Sequence, residues 1–226
     1  MIEIVKVENK DQEREFVMFP FSLYKGCDYW VPPIISEELE SMDKEKNPVF
    51  ENAEAEFYIA KKDGVTVGRI AAMVNWVEIE EQKKNKLRFG WYDTIDDLEV
   101  SKKLLESVIE FGKKRKLEFV DGPVGFSNMD KAGLLIEGYE ELNTMITWYH
   151  YPYQKEHLKK LGFSKLAEWV EYKIKIFSAE DAPEKVKKFS KIIQQRYELK
   201  VLNFKSRKEI IPYVDKMFEL LNVTYS

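Results

Sequence analysis

The sequence has little sulfur and little histidine. Among its 226 residues there is one cysteine, Cys27, and there are two histidines. A single thiol excludes an intrachain disulfide, and no cysteine or histidine grouping has the spacing of a zinc site. We therefore expect a reducing compartment and no metal centre.

Long apolar runs and a surplus of basic residues are also missing. No stretch approaches the roughly 18 uninterrupted apolar residues of a membrane span. The segment Met1–Lys6 has neither the basic start nor the apolar core of a signal peptide. The net charge is −4 at pH 7, with basic residues spread along the chain, which disfavours nucleic acid as a partner. We expect a cytoplasmic protein with neither a nucleic-acid nor a membrane partner.

The most informative stretch contains three predicted strands between residues 55 and 93. Glu56–Ala60 and Val65–Val74 are rich in aromatic and β-branched residues, and Asp63-Gly64 between them favours a tight hairpin turn. Leu87–Asp93 predicts a third strand beside the second, since sequential strands are usually neighbours. A helix with an apolar face follows, with Asp96 as its expected N-terminal cap.

The flanking segments supply further elements in alternation. Alternating apolar residues predict a strand near the N-terminus. A helix follows through about Leu23, and Pro20 should end or kink it. A second short helix precedes the hairpin. Further predictions along the chain are a strand over Leu117–Val120, a helix from Pro152 to Leu161 that stops at Gly162, and a strand over Trp169–Phe177.

This order of elements, together with several uncommon strings, resembles the GNAT acyltransferase superfamily. More closely, the chain is similar to a little-characterised bacterial family of GNAT-like proteins. Over residues 1–177 the resemblance implies an α+β class and a GNAT-like acyl-CoA N-acyltransferase fold, with a mixed, mostly antiparallel sheet flanked by helices. The strings are Tyr29-Trp30-Val31-Pro32-Pro33, Asn47-Pro48-Val49-Phe50, Val67-Gly68-Arg69-Ile70-Ala71-Ala72, Gly122-Pro123 with Phe126-Ser127, Gly133-Leu134-Leu135-Ile136-Glu137-Gly138-Tyr139, and Leu158-Lys159-Lys160-Leu161-Gly162-Phe163.

The resemblance implies acetyl-CoA or another acyl-CoA as the cofactor and a small molecule as the partner. The donor would lie along Trp91, Tyr92 and Asp93, with its diphosphate at the start of the helix that follows. Such an enzyme needs a base for the amine and an acid for the departing thiolate. Leu158 stands where the family places its tyrosine, so Tyr153 is the nearest substitute, with His150 as base and Tyr149 beside it. An aromatic core is the alternative for this cluster.

The sequence departs from the family where the diphosphate would bind. The segment Asp93–Glu99 has four acids and no glycine, whereas anion sites at helix starts use free backbone amides. A phosphate about 4 Å from a carboxylate is repelled by roughly 4 kcal/mol at an effective dielectric of about 20. Two further readings are an ordinary capped helix and a cation site built from Asp93, Asp96 and Asp97.

The loop Gly122–Asp130 is a second candidate for the anion. It leaves a predicted strand and carries Ser127 and Asn128, whose surrounding amides could receive a phosphate or carboxylate. A glycine-proline turn capped by polar side chains explains the same residues. The loop matches neither the P-loop nor the dinucleotide fingerprint.

The C-terminal segment predicts an extension of helix, strand and helix over residues 178–226, with Leu199–Phe204 as its strand. This resembles the start of a second, truncated GNAT-like unit. An exposed strand there needs a partner, either from the chain's own first domain or from a second chain; a homodimer and a missing second domain are both expectations. Two functions follow for the chain. One is an N-acyltransferase that moves an acyl group from acyl-CoA to an unknown amine; the other is a non-catalytic binding or structural module that has lost the CoA diphosphate loop.

Overall fold

The structure is a computed structural model that describes residues 1–175, 178 and 180–224. The chain divides into two compact units, Met1–Trp169 and Val170–Ser226. The first unit contains one five-stranded sheet in the order β1-β2-β3-β4-β5. Its elements are β1 Ile2–Lys6, α1 Lys10–Leu23, α2 Ile35–Met42, a 3-10 turn Pro48–Glu51, β2 Ala53–Lys62, β3 Val65–Asn75, α3 Trp76–Glu80, β4 Lys86–Thr94, α4 Leu98–Lys114, β5 Phe119–Asp121 and α5 Pro152–Lys160.

The hairpin predicted from Asp63-Gly64 joins β2 to β3. Asp63 and Gly64 have φ angles of 52° and 81°, the left-handed conformations that a tight hairpin turn requires. The turn sets an antiparallel register in which Tyr58 lies opposite Ile70. The pairs β1–β2, β2–β3 and β3–β4 are antiparallel, and the pair β4–β5 is parallel. The expected α+β class and the mixed, mostly antiparallel sheet are therefore confirmed.

The sheet is covered by helices on both faces, and this places β4 in the interior. On one face the apolar side of α4, including Leu104 and Val108, packs against Ile70 and Phe89. On the other face Phe16 of α1 and Met42 of α2 pack against Phe57 and its neighbours on β2 and β3. Buried on both sides, the strands have the dense apolar sequence seen in the hairpin.

Strand β4 contains a bulge near Trp91. The pairing with β3 shifts by one residue between Arg69–Asp93 and Ala71–Gly90, and Trp91 has a φ of 46°. A bulge inserts one residue and re-aims the strand edge beyond it. Consequently the segment from Trp91 to Thr94 runs at a new angle toward the start of α4.

Helix α1 reaches Leu23 as predicted, so Pro20 does not end it. The helices differ from the sequence predictions at two points. Helix α3 was not predicted. The N-terminal cap of α4 is Asp97, not Asp96, because the Asp97 side chain accepts a hydrogen bond from the amide of Glu99.

The second unit is helical where it is regular. It contains α6 Glu184–Arg196, α7 Arg207–Ile210, a 3-10 turn Ile211–Tyr213 and α8 Val214–Thr224. The predicted strand Leu199–Phe204 is wrong, since these residues pair with no described strand. Residues 169–175 likewise form no strand; residues 176 and 177 of that prediction lie outside the described part. The proposed division into residues 1–177 and 178–226 stays a prediction.

Candidate active site

The outer edge of β4 changes partner along its length. At its beginning β5 pairs with it, from Lys86–Phe119 to Arg88–Asp121, and the amide of Val124 then donates to the carbonyl of Phe89 over 2.8 Å. A side chain at Gly90 would place its Cβ 2.4 Å from the Val124 carbonyl oxygen, so glycine permits this approach. Beyond Gly90 no described strand pairs with this edge.

Two side chains from the first turn of α5 bind the carbonyls of that edge. The Gln154 amide donates from Nε2 to the Tyr92 carbonyl oxygen over 3.1 Å, and the Tyr153 hydroxyl donates to the Thr94 carbonyl oxygen over 2.6 Å. Gln154 is fully buried, and its Oε1 accepts from the amide of Tyr151 over 2.8 Å. Helix α5 therefore takes the place of a neighbouring strand beside β4.

A buried ion pair lies behind this edge. Asp93 accepts from Nε of Arg69 over 2.8 Å and from the hydroxyl of Tyr24 over 2.6 Å. Burial and the adjoining carboxylate raise the pKa of Tyr24 well above its ordinary value, so the phenol stays protonated. The Tyr24 hydroxyl also lies 3.2 Å from the Tyr149 carbonyl oxygen and 3.4 Å from Oε1 of Gln154. Through the Tyr24 hydroxyl and the Asp93 carboxylate, this network connects α1, β3, β4 and α5.

His150 lies inside the same region, only 1% exposed. Its Nδ1 accepts from the amide of Leu135 over 3.4 Å, and its ring also bonds to the backbone of Tyr92. Burial lowers the pKa of His150 to about 4, so the imidazole is neutral at pH 7. A neutral ring with an occupied Nδ1 holds the Leu135 loop to β4.

A row of aromatic rings continues from this point toward α4. Tyr24 contacts Trp30 and Tyr151, and Tyr151 stacks on Tyr153 at a centroid distance of 5.7 Å. Burial raises the pKa of Tyr153, and burial followed by a hydrogen bond with Cys27 raises that of Tyr149. Both phenols are therefore protonated at neutral pH and can act only as proton donors there.

The amides at the start of α4 are already capped. Asp97 binds the amide of Glu99 and also accepts from Nζ of Lys62 over 3.1 Å. Asp96 lies 3.2 Å from Nε2 of His157, and Nδ1 of that ring lies 2.8 Å from the buried Ser101 hydroxyl. Because Asp93 binds Arg69, the three aspartates face three different partners, and no group of described residues could hold a metal ion.

Ser127 and Asn128 belong to a separate cluster around Arg88. Asn128 accepts from Nη2 of Arg88 over 2.7 Å, and Arg88 also binds both carboxylate oxygens of the buried Glu78. The amide and hydroxyl of Ser127 donate to Asp130. These contacts fix the loop to β4 and α3, close to the β5 pairing and before the bulge.

The structure thus brings some of the predicted site residues together and separates others. Tyr92 and Asp93 adjoin Tyr153, His150 and Tyr149 through the contacts given above. The Trp91 ring instead contacts Phe126 and Trp148, and Ser127 and Asn128 bind elsewhere. Sequence reasoning missed Gln154, Arg69 and Tyr24, which hold the site. Only Arg69 carried a signal, as the one charged residue in the apolar string Val67–Ala72.

Two curated proteins are similar to part of this chain. It is 31% identical over 167 residues to protein YghO of Escherichia coli strain K12, covering 72% of this chain and 43% of that protein. It is 22% identical over 174 residues to the bacterial ceramide synthase of Caulobacter vibrioides strain NA1000 / CB15N, covering 76% of this chain and 45% of that protein. The chain thus spans less than half the length of these curated relatives.

A solved structure of a predicted acetyltransferase from Clostridium acetobutylicum with acetyl-CoA is also similar. It is 14% identical with a TM-score of 0.46, covering 76% of this chain and 96% of that one. No family model matches the chain. Apart from α3, the described elements up to α5 follow the order expected from the sequence, with a bulged β4 leading into α4. None of the described helices is both long and apolar enough to cross a membrane.

Proposed function

We propose that this chain contains the donor-binding domain of an N-acyltransferase, which moves an acyl group from acetyl-CoA or another acyl-CoA to an amine. The observation that carries the proposal is the outer edge of β4 from Trp91 to Thr94. Pairing with β5 stops at Arg88, before the bulge at Trp91, and the free edge ends at the first turn of α4. Pantetheine contains amides that can pair with a strand edge of this kind.

The proposed donor site uses the backbone of Trp91, Tyr92 and Asp93 for the pantetheine arm. The amine nitrogen attacks the thioester carbonyl carbon; the C–N bond forms and the C–S bond breaks. The departing thiolate takes a proton from an acid, and the proton lost by the amine returns to that acid, so the step balances as amide plus thiol. Tyr153 is the proposed acid for the thiolate because its phenol is protonated at neutral pH and partly exposed. In this proposal His150 and Tyr149 position the loop that carries Leu135 and the outer edge of β4. His150 can act as the base only when the hydrogen bond from the Leu135 amide to its Nδ1 is broken.

The name of one relative supports amide formation. The Caulobacter relative is named a ceramide synthase, and a ceramide is a fatty-acyl amide of a long-chain amino alcohol. We propose small molecules as partners and a cytoplasmic location, consistent with the single cysteine. A second domain or a second copy of the chain completes the assembly in this proposal, because the matching part of the chain covers less than half of each relative.

One observation favours a binding module without catalysis as the second candidate. Side chains of α5 occupy the carbonyls of Tyr92 and Thr94, and Asp97 occupies an amide at the start of α4. A ligand with the chemistry of CoA therefore meets groups that already have partners. The module hypothesis predicts that neither acetyl-CoA nor a longer acyl-CoA binds.

Calorimetric titration with acetyl-CoA, paired with thermal melting, tests the enzyme proposal. We expect heat and an increase in Tm at millimolar ligand or below, and release of free thiol when a panel of primary amines is added. A matched pair of double variants, Asp96→Ala with Asp97→Ala and Ser127→Ala with Asn128→Ala, tells which end of β4 holds the diphosphate. Absence of heat and of thermal stabilisation with every acyl-CoA would exclude the enzyme reading for this chain.

A further inference from the structure

The first turn of α5 binds β4 as a peptide strand would. The carbonyls of Tyr92 and Thr94 are two residues apart, so both point to the same side of the strand. Gln154 and Tyr153 bind them at 3.1 Å and 2.6 Å. A hydrogen-bonding edge that faces away from β3 is therefore filled by side chains of the same chain.

An extended ligand with amide groups needs these same carbonyls. Strand-edge recognition draws its affinity from main-chain hydrogen bonds, and each occupied carbonyl removes one of them. The donor and the two α5 side chains consequently compete for the edge. We propose that Tyr153 and Gln154 form a latch over the donor site, and that acyl-CoA binds only when the latch is displaced; this inference rests on the proposed function.

The latch is held by contacts that can open without unfolding the sheet. Gln154 is fixed by the amide of Tyr151 at 2.8 Å and by the Tyr24 hydroxyl at the longer distance of 3.4 Å. The other end of α5 is anchored separately, by Leu158 in the core and by His157 beside Ser101. Between residues 125 and 150 the chain forms no helix or strand apart from the bridge of Ala132 to Val124, so a shift of the turn breaks no ladder.

Displacement of the latch also explains a dual role of Tyr153. While its hydroxyl donates to the Thr94 carbonyl, the proton is not available to a leaving group. A donor amide that takes over this carbonyl frees the hydroxyl at the moment the thioester arrives. Donor binding and release of the acid are therefore coupled through one hydrogen bond.

The first test compares acetyl-CoA binding to the wild-type chain with binding to two variants of Gln154. Gln154→Ala removes the latch side chain, and Gln154→Glu keeps its shape and its Oε1 acceptor but loses the donor to Tyr92. We expect both to bind acetyl-CoA about fivefold to tenfold more tightly, the size of one lost competing hydrogen bond. Gln12→Ala is the control, since Gln12 also binds a backbone amide but lies at the start of α1.

The second test needs no substitution. Hydrogen exchange of the wild-type chain with saturating acetyl-CoA should be faster at residues 151–157 and slower at residues 92–94 than without ligand. Tight wild-type binding that weakens in both Gln154 variants, or new protection of residues 151–157, would overturn the latch and leave the proposed function standing. Binding of acetyl-CoA by the Gln154 variants but not by the wild-type chain would support both the latch and the proposed donor site. No binding by any of these proteins would refute the proposed donor site, and the latch with it.

Discussion

Nη1 of Arg69 donates to the carbonyl oxygen of Phe16 over 3.2 Å in the protein interior. In a regular helix that carbonyl accepts from the amide four residues on, which here is Pro20, a residue without an N–H. The guanidinium thus supplies the bond that the proline cannot. Its Nε binds Asp93, so a proline in α1 and a carboxylate on β4 depend on the same arginine.

Replacement of Arg69 by Met is expected to lower the free energy of unfolding by about 3–5 kcal/mol. The substitution leaves the Asp93 carboxylate buried without a cation, which is the costly way to break such a pair. Pro20→Ala in the same background restores a helical donor for Phe16 and should recover about 1 kcal/mol. Urea unfolding measures both. Arg14→Met, exposed on the same helix, is the control, and a loss at Arg69 no larger than at Arg14 would contradict this reading.

Gly90→Ala is expected to destabilise the chain by about 1–3 kcal/mol, because the new Cβ meets the backbone carbonyl of Val124 at 2.4 Å. Gly112→Ala is its matched control. At that position in α4 the Cβ meets only the flexible end of Leu87 at 2.8 Å, and alanine gains up to about 1 kcal/mol of helix propensity. Denaturant midpoints should therefore separate the two variants; equal losses would show that the Gly90–Val124 approach is not tight.

Stability should fall as the pH is lowered from about 6.5 to about 4. Burial depresses the pKa of His150 from 6.5 to about 4, so in this window the unfolded chain binds a proton that the folded chain does not. The contribution is fully present above the unfolded pKa and is lost through this window, at most about 3 kcal/mol in total. Urea titrations at several pH values measure the slope.

His150→Gln removes this titration, so the variant should show a flatter stability profile between pH 4 and 6.5. The chain has two histidines, and the variant therefore also assigns the imidazole signals in a proton NMR titration. An unchanged slope in the variant would show that another group carries the pH dependence.

Asp97→Asn removes the negative charge at the start of α4 but keeps a side chain that can cap the helix. Asparagine caps helices about as well as aspartate, so stability should hold while the repulsion of a diphosphate falls. We expect binding of acetyl-CoA to tighten about tenfold at low salt, less than the Coulomb estimate because solvent and ions screen the site. Asp97→Ala should instead cost about 1 kcal/mol of stability. Equal affinity of Asp97→Asn and wild type would place the diphosphate elsewhere.

The sequence predicted correctly those elements that depend only on residues close together in the chain. The Asp63-Gly64 turn, the apolar face of α4 and the stop of α5 at Gly162 all follow from residues within a few positions of each other. A long-range contact, by contrast, could not be predicted at Pro20: helix α1 continues past the proline, and Arg69 satisfies the Phe16 carbonyl that the proline leaves free.

The sequence predicted which segment contains the candidate site but not which side chains contact each other there. Trp91, Tyr92 and Asp93 were identified through a family resemblance, and Tyr153 through its distance from Gly162. Nothing near Asp93 in sequence indicates that it binds Arg69 and Tyr24, which lie 24 and 69 residues away. Gln154 was missed because a glutamine in a polar helix turn has no pattern that marks it as buried.

The sequence by itself determined the α+β class, the hairpin and the carboxylates at the start of α4, since hydrophobic period, turn residues and charge act over short distances. Only the tertiary structure decided that β4 bulges at Trp91, that its edge is filled by Tyr153 and Gln154, and that His150 is held neutral. Those properties arise from burial and from contacts between segments far apart in sequence, because desolvation and hydrogen-bond partners exist only once the chain has packed.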